Sequence, residues 1–178
     1  DDENAATACI SCSAGYYSQA QAPSCTACTP GKFSEAESAM CETCAAGKYS
    51  GNAATTCKAC PLGTYSNAGD EMCTNCKAGT YADTEGTVEC TECATGKFSP
   101  EAAKSCMNCA PGKYANTEGS PECDACDPGK FSANEASVEC TACDRGFTTN
   151  DQSGQTKCVG CPKGQYAYLA GTPSCSTC

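Results

Sequence analysis

Cys44-Ala45-Ala46-Gly47-Lys48-Tyr49-Ser50, followed by a polar loop and the next pair, Cys57-Lys58-Ala59-Cys60, is the stretch on which the reading of the whole chain turns. It is one copy of a unit, Cys-x-x-Cys-x-x-Gly-x-aromatic-Ser/Ala plus loop, that recurs from one end to the other. The first cysteines of the pairs stand at 9, 25, 41, 57, 73, 90, 106, 123, 140, 158 and 175, a period of 16 to 18 residues. A glycine follows three residues after the pair at Gly15, Gly31, Gly47, Gly63, Gly79, Gly96, Gly112, Gly129, Gly146 and Gly164. In all but one of these an aromatic stands two residues further on: Tyr17, Phe33, Tyr49, Tyr65, Tyr81, Phe98, Tyr114, Phe131 and Tyr166. Self-similarity at a fixed short period predicts a stacked array in which each unit leans on its neighbours. Residues 1–8 read as a polar lead-in and 9–178 as a continuous array of about ten repeats.

Composition says what must hold such an array together. Of the 71 residues counted as hydrophobic, 28 are Ala and 22 are Cys, whereas Leu, Ile, Val and Phe together number ten. So little large apolar material cannot offset the conformational entropy lost on folding. Crosslinks must replace the missing core, and this cysteine density belongs to disulfide scaffolds. The expected fold is therefore small and disulfide-rich: an elongated array of short β-hairpin-like loops, with little regular secondary structure and negligible helix. The Ala-rich loop Glu35–Met40 offers room for one helical turn. Paired cysteines at this density imply an oxidising compartment, hence an extracellular, secreted or cell-surface location. No apolar run is long enough to span a bilayer. The net charge of −10, with no histidine, disfavours nucleic acid and anionic membranes as partners. Asn52, Asn67, Asn116 and Asn150 all lack a hydroxyl residue two places on. Asn-linked sugar is thus not expected, while O-linked glycans are compatible with the Ser/Thr-rich loops.

The one-repeat period constrains how the cysteines pair. Knots built from two consecutive pairs would impose a two-repeat period and leave one of the eleven pairs over. Bonds within each Cys-x-x-Cys close very small rings and leave the loops untethered. The favoured scheme joins the second cysteine of each pair to the first of the next: Cys12–Cys25, Cys28–Cys41, Cys44–Cys57, Cys60–Cys73, Cys76–Cys90, Cys93–Cys106, Cys109–Cys123, Cys126–Cys140, Cys143–Cys158 and Cys161–Cys175. Each ring is worth on the order of 3 kcal/mol in the loop-entropy account. The competing single-period scheme runs from the first cysteine of one pair to the second of the next, Cys9–Cys28 and onward. The favoured ladder leaves Cys9 and Cys178 over, either to pair within a longer chain or to join one copy to the next.

The unit Cys-x-x-Gly-x-Tyr/Phe…Cys resembles the first disulfide loop of tumour-necrosis-factor-receptor cysteine-rich modules. The whole Cys-x-x-Cys-x-x-Gly-x-Tyr-Ser unit resembles still more closely the ephrin-receptor-like cysteine-rich repeat, abundant in surface proteins of protists and algae. The similarity runs from residue 9 to residue 178. In the receptor modules a cysteine just before x-x-Gly-x-aromatic closes onto the next cysteine, which implies Cys12 to Cys25 here. The resemblance implies an extracellular array and names no ligand.

Alternation along an extended segment predicts that the aromatics turn toward the disulfides and pack there, while Lys32, Lys48, Lys97, Lys113 and Lys130 face solvent. From Cys73 onward 17-residue spacing becomes common, and the added residue tends to arrive with a glycine (Gly86, Gly119, Gly171), read as absorbing the insertion. The repeat from Cys143 to Cys158 is irregular: its aromatic, Phe147, comes one position early, and its loop is the longest. With the apolar run Tyr166-Ala167-Tyr168-Leu169 beyond it, residues 144–171 are where a bend or a partner contact is expected.

Cys-x2-Cys-x12-Cys-x2-Cys is also a zinc spacing. All-thiolate sites would orphan one pair, however, and each would add −2 to an already acidic chain, so no metal or other cofactor is expected. No catalytic residues emerge: there is no histidine, no carboxylate pair in an apolar setting, no phosphate-cradling loop and no calcium loop. The chain reads as a non-enzymatic structural protein, a disulfide-laddered rod serving as spacer, stalk or fibre subunit. Its expected partners are other copies of itself or neighbouring modules of a longer chain. The alternative is a ligand-binding ectodomain, adhesin or surface antigen.

Overall fold

The computed structural model describes residues 11–20 and 22–178. Each repeat begins at the second cysteine of a pair with a tight turn. In Thr29-Pro30-Gly31-Lys32 the Lys32 N–H donates to the Thr29 carbonyl at 3.1 Å, and Gly31 has φ +80°. This is a type II turn, with proline preset for its second position and glycine free to take the left-handed third. The next two residues, Lys32–Phe33, form a strand that pairs antiparallel with Glu42–Thr43, the two residues inside the following Cys-x-x-Cys. Cys44 N–H then closes onto the Gly31 carbonyl at 2.9 Å.

The same hairpin recurs. The described residues up to Asn75, together with Ala82–Cys90, form one compact unit; Cys76–Tyr81 and Thr91–Cys178 form another. The first holds four such hairpins, the last being Thr64–Tyr65 with Thr74–Asn75. The second holds six, from Thr80–Tyr81 with Thr91–Glu92 to Gln165–Tyr166 with Ser176–Thr177. Among the described residues there is no helix, and no helix long and apolar enough to cross a membrane. The Glu35–Met40 loop takes no helical turn, because Glu37 within it is left-handed, at φ +64°.

The buried interior is thin and is made of small residues. Cys28, Cys44, Cys60, Cys93, Cys109, Cys126 and Cys143 are fully buried, as are Ser66 and Ser99; Ser34, Ser50, Ala82 and Ala115 are nearly so. The motif aromatics Tyr17, Phe33, Tyr49, Tyr65, Tyr81, Phe98, Tyr114 and Phe131 are only half-buried, and Tyr166 is exposed. Lys32, Lys48, Lys113 and Lys130 face solvent, and Lys97 is half-buried.

Candidate functional site

The feature that repeats most faithfully is the seam between neighbouring repeats, and it carries the protein's covalent and hydrogen-bonded continuity. Nine disulfides, Cys12–Cys25, Cys28–Cys41, Cys44–Cys57, Cys60–Cys73, Cys93–Cys106, Cys109–Cys123, Cys126–Cys140, Cys143–Cys158 and Cys161–Cys175, span 5.7–5.8 Å between Cα atoms. Cys76 and Cys90 are disulfide-bonded as well. The sulfurs that a zinc site would need are therefore committed to one another. Cys178 is a free, exposed thiol, and Cys9 lies outside the described residues.

Two backbone bonds tie each repeat to the next. The motif glycine donates its N–H to the carbonyl of the following repeat's Ser or Ala: Gly31 to Ser50 and Gly47 to Ser66 in the first unit, Gly96 to Ala115 and Gly112 to Ser132 in the second, at 2.8–2.9 Å. In return, a loop residue of the later repeat donates to the carbonyl of the earlier repeat's buried cysteine: Ala53 to Cys28, Gly69 to Cys44, Ala136 to Cys109, Gly154 to Cys126. The buried serine adds a third tie. Ser50 Oγ donates to the Lys32 carbonyl at 2.9 Å, Ser66 Oγ to Lys48 at 3.1 Å and Ser99 Oγ to Thr80 at 3.0 Å.

The loop donor is left-handed in every case: Glu37, Ala53, Gly69, Gly86, Ala102, Gly119, Ala136, Gly154 and Gly171 all have φ between +52° and +82°. Each stands four residues before the next cysteine, whatever the repeat length: 37 before 41, 86 before 90, 136 before 140, 154 before 158. This corrects the reading of Gly86, Gly119 and Gly171 as residues that absorb an insertion. They occupy a position present in 16-residue repeats too, and the extra residue enters the loop before it.

That position explains why the motif glycine leaves no room for a side chain in most of the repeats. A Cβ on Gly31 would overlap the carbonyl of Gly69 two repeats on; Gly47 meets Gly86, Gly96 meets Ala136 and Gly112 meets Gly154 in the same way. Each of these four seams thus joins three successive repeats, the outer two in close backbone approach. Period and motif mark the glycine in the sequence. The left-handed residue is harder to find there, since Glu37, Ala53, Ala102 and Ala136 carry no glycine signal.

The irregular repeat keeps this geometry with exchanged side chains. Phe147 pairs with Gly160 and Thr148 with Val159, so Thr148 fills the aromatic's strand position and is fully buried, while Phe147 is exposed. Thr149 takes the serine position, and its Oγ1 accepts the Gly129 N–H at 2.7 Å. The early aromatic is thus a side chain on the solvent face, not a shift of register.

The surface depressions are shallow and open to solvent. One of about 330 Å³ lies along Tyr49–Thr56 and Lys58, and another of the same volume along Tyr17, Gln19, Lys32 and Met40. Neither gathers convergent titratable groups. Among the described residues no cluster of His, Cys, Asp or Glu is arranged to hold a metal.

A family model described as tyrosine-protein kinase ephrin type A/B receptor-like matches residues 63–99, 96–132 and 112–153, together 63–153 and just over half of the chain. The chain belongs to this family. Comparison with curated proteins finds no match. The three matches overlap and each starts at a motif glycine, Gly63, Gly96 and Gly112. Ephrin-receptor-like repeats closed by disulfides make this an extracellular kind of module.

Proposed function

We propose that the chain is a secreted or surface-displayed structural element, a spacer, stalk or fibre subunit whose task is to hold length under load. The observation that carries this reading is the course of the disulfides. Tension applied along the chain crosses each bonded repeat through its disulfide, 5.7–5.8 Å between Cα atoms, and then through the short step from the first to the second cysteine of the next pair. The loop inside each ring is bypassed. At ~3.3–3.6 Å per residue, such a repeat reaches only ~16 Å even with every hydrogen bond broken, against ~55–60 Å once reduced. A chain built this way resists stretching by covalent bonds and needs no large core.

The seam supports the same reading. It uses backbone groups and small buried residues, so it repeats regardless of what the loops carry, and stability should be close to additive along the array. Small-angle scattering on the full chain and on versions lacking one, two or three central repeats tests this. A spacer should lose maximum dimension in equal steps; a dimension insensitive to repeat number would contradict it. The receptor-like alternative has one observation in its favour, the exposed apolar side chains of the last two repeats.

A further inference from the structure

Those side chains stand where most other repeats present polar residues to solvent; the first repeat, with Tyr16 40% exposed after its glycine, is the exception. The residue after the motif glycine is lysine at 32, 48, 97, 113 and 130, but in the irregular repeat it is Phe147, 46% exposed. The two loop residues after the buried Ser or Ala are Glu35-Ala36, Gly51-Asn52 or Asn116-Thr117 elsewhere; after Ala167 they are Tyr168 and Leu169, 72% and 59% exposed. Gly146 N–H donates to the Ala167 carbonyl at 3.0 Å, which brings the two repeats' neighbouring residues together. The Arg145 guanidinium lies 5.8 Å from the Tyr168 ring centroid. The two loop positions are exposed in every earlier repeat as well, so the exposure of Tyr168 and Leu169 comes from the choice of side chains and not from a missing neighbour.

Charge is distributed to match. Residues 144–178 carry Arg145, Lys157 and Lys163 against Asp144 and Asp151, a net +1, whereas residues 1–143 sum to −11. Four successive repeats place an exposed glutamate immediately before the left-handed residue: Glu85 in the first unit, and Glu101, Glu118 and Glu135 in the second. At the same place the last two repeats carry Ser153 and Ala170. We propose that Arg145, Phe147, Tyr168 and Leu169 form a docking face for the acidic loops of a second copy of this chain, with Glu101, Glu118 and Glu135 as the counter-surface. Aromatic faces take the aliphatic stems of the glutamates, and Arg145 takes a carboxylate as a bidentate pair. The two surfaces differ, so the contact is heterologous: each copy keeps one free surface of each kind, and association propagates without closing. This extends the structural reading above by naming what one copy touches. A stalk that stays monomeric would still show the stepwise lengths predicted for a spacer, so the two proposals fail separately.

Sedimentation equilibrium of the full chain carrying Cys9→Ser/Cys178→Ser, which removes both cysteines left over by the ladder, tests the proposal. The weight-average mass should rise with concentration, and raising ionic strength tenfold should weaken association by about tenfold or more, because salt screens such pairs. Tyr168→Ser/Leu169→Ser and Glu101→Lys/Glu118→Lys/Glu135→Lys should each stay monomeric alone. Mixed in equal amounts they should form a one-to-one complex, since one retains the acidic loops and the other the docking face. All these changes are at exposed positions, and the loss of twenty hydrogens in the unreduced mass would certify the folded state of each variant. A parent chain that is monomeric at every concentration, association that survives either set of changes, or a mixture that fails to associate would overturn the proposal. So would a monomer whose Tyr168 responds to a neutral oligosaccharide, which would assign the face to glycan instead.

Discussion

A single methyl group separates two glycines that the motif makes look equivalent. A Cβ on Gly112, at φ +84°, would overlap the Gly154 carbonyl; one on Gly146, at φ +82°, would meet nothing within 4 Å. Gly146→Ala should cost only the left-handed penalty, about 1–2 kcal/mol. Gly112→Ala adds a backbone overlap that must push the two repeats apart, and should cost about 3 kcal/mol or more. Amide exchange reads the difference locally: the Gly154 N–H, bonded to the Cys126 carbonyl at 2.8 Å, should lose protection in Gly112→Ala and keep it in Gly146→Ala. At the loop position the sign reverses. Ala136, at φ +55°, carries a side chain where glycine is cheaper, so Ala136→Gly should be neutral or stabilising by up to about 1 kcal/mol in denaturant unfolding.

At the scale of one hairpin, the disulfide and the buried serine divide the work unequally. Removing a ring with Cys60→Ser/Cys73→Ser should cost on the order of 3 kcal/mol, the loop-closure entropy of a 13-residue separation. The loss should be local, with raised amide exchange around residues 60–73 and distant repeats unchanged; collapse of the whole array would contradict the seam account. Ser66→Ala removes only the bond to the Lys48 carbonyl, a loss of about 1 kcal/mol, and Ala82 and Ala115 already occupy this buried position in other repeats. Ser66→Leu should be far worse, because the site is fully buried and sized for a small side chain. Melting the variants side by side ranks them.

At the scale of the whole chain, the sequence was legible where the period spoke and opaque where conformation did. Cysteine spacing, the scarcity of large apolar residues and the motif glycine point to hairpins held by disulfides, because those features answer to covalent geometry and composition. The aromatics, expected to turn toward the disulfides, are half-buried except for the exposed Tyr166, and full burial falls to cysteine, serine, alanine and Thr148. The left-handed residue escaped notice because backbone strain at Ala53, Ala102 and Ala136 leaves no mark in residue type. Phe147 comes one position early in the sequence, and only its pairing with Gly160 identifies it as a side chain turned to solvent.

The central claim is that tension along the array passes through disulfides that bypass every loop. Single-molecule extension of the chain, pulled from its two ends before and after reduction, tests it most directly. The oxidised chain should reach its limit at ~16 Å per repeat, and reduction should lengthen it to ~55–60 Å per repeat. An oxidised chain that already extends to nearly the reduced length would mean that the loops are not bypassed, and would contradict the account.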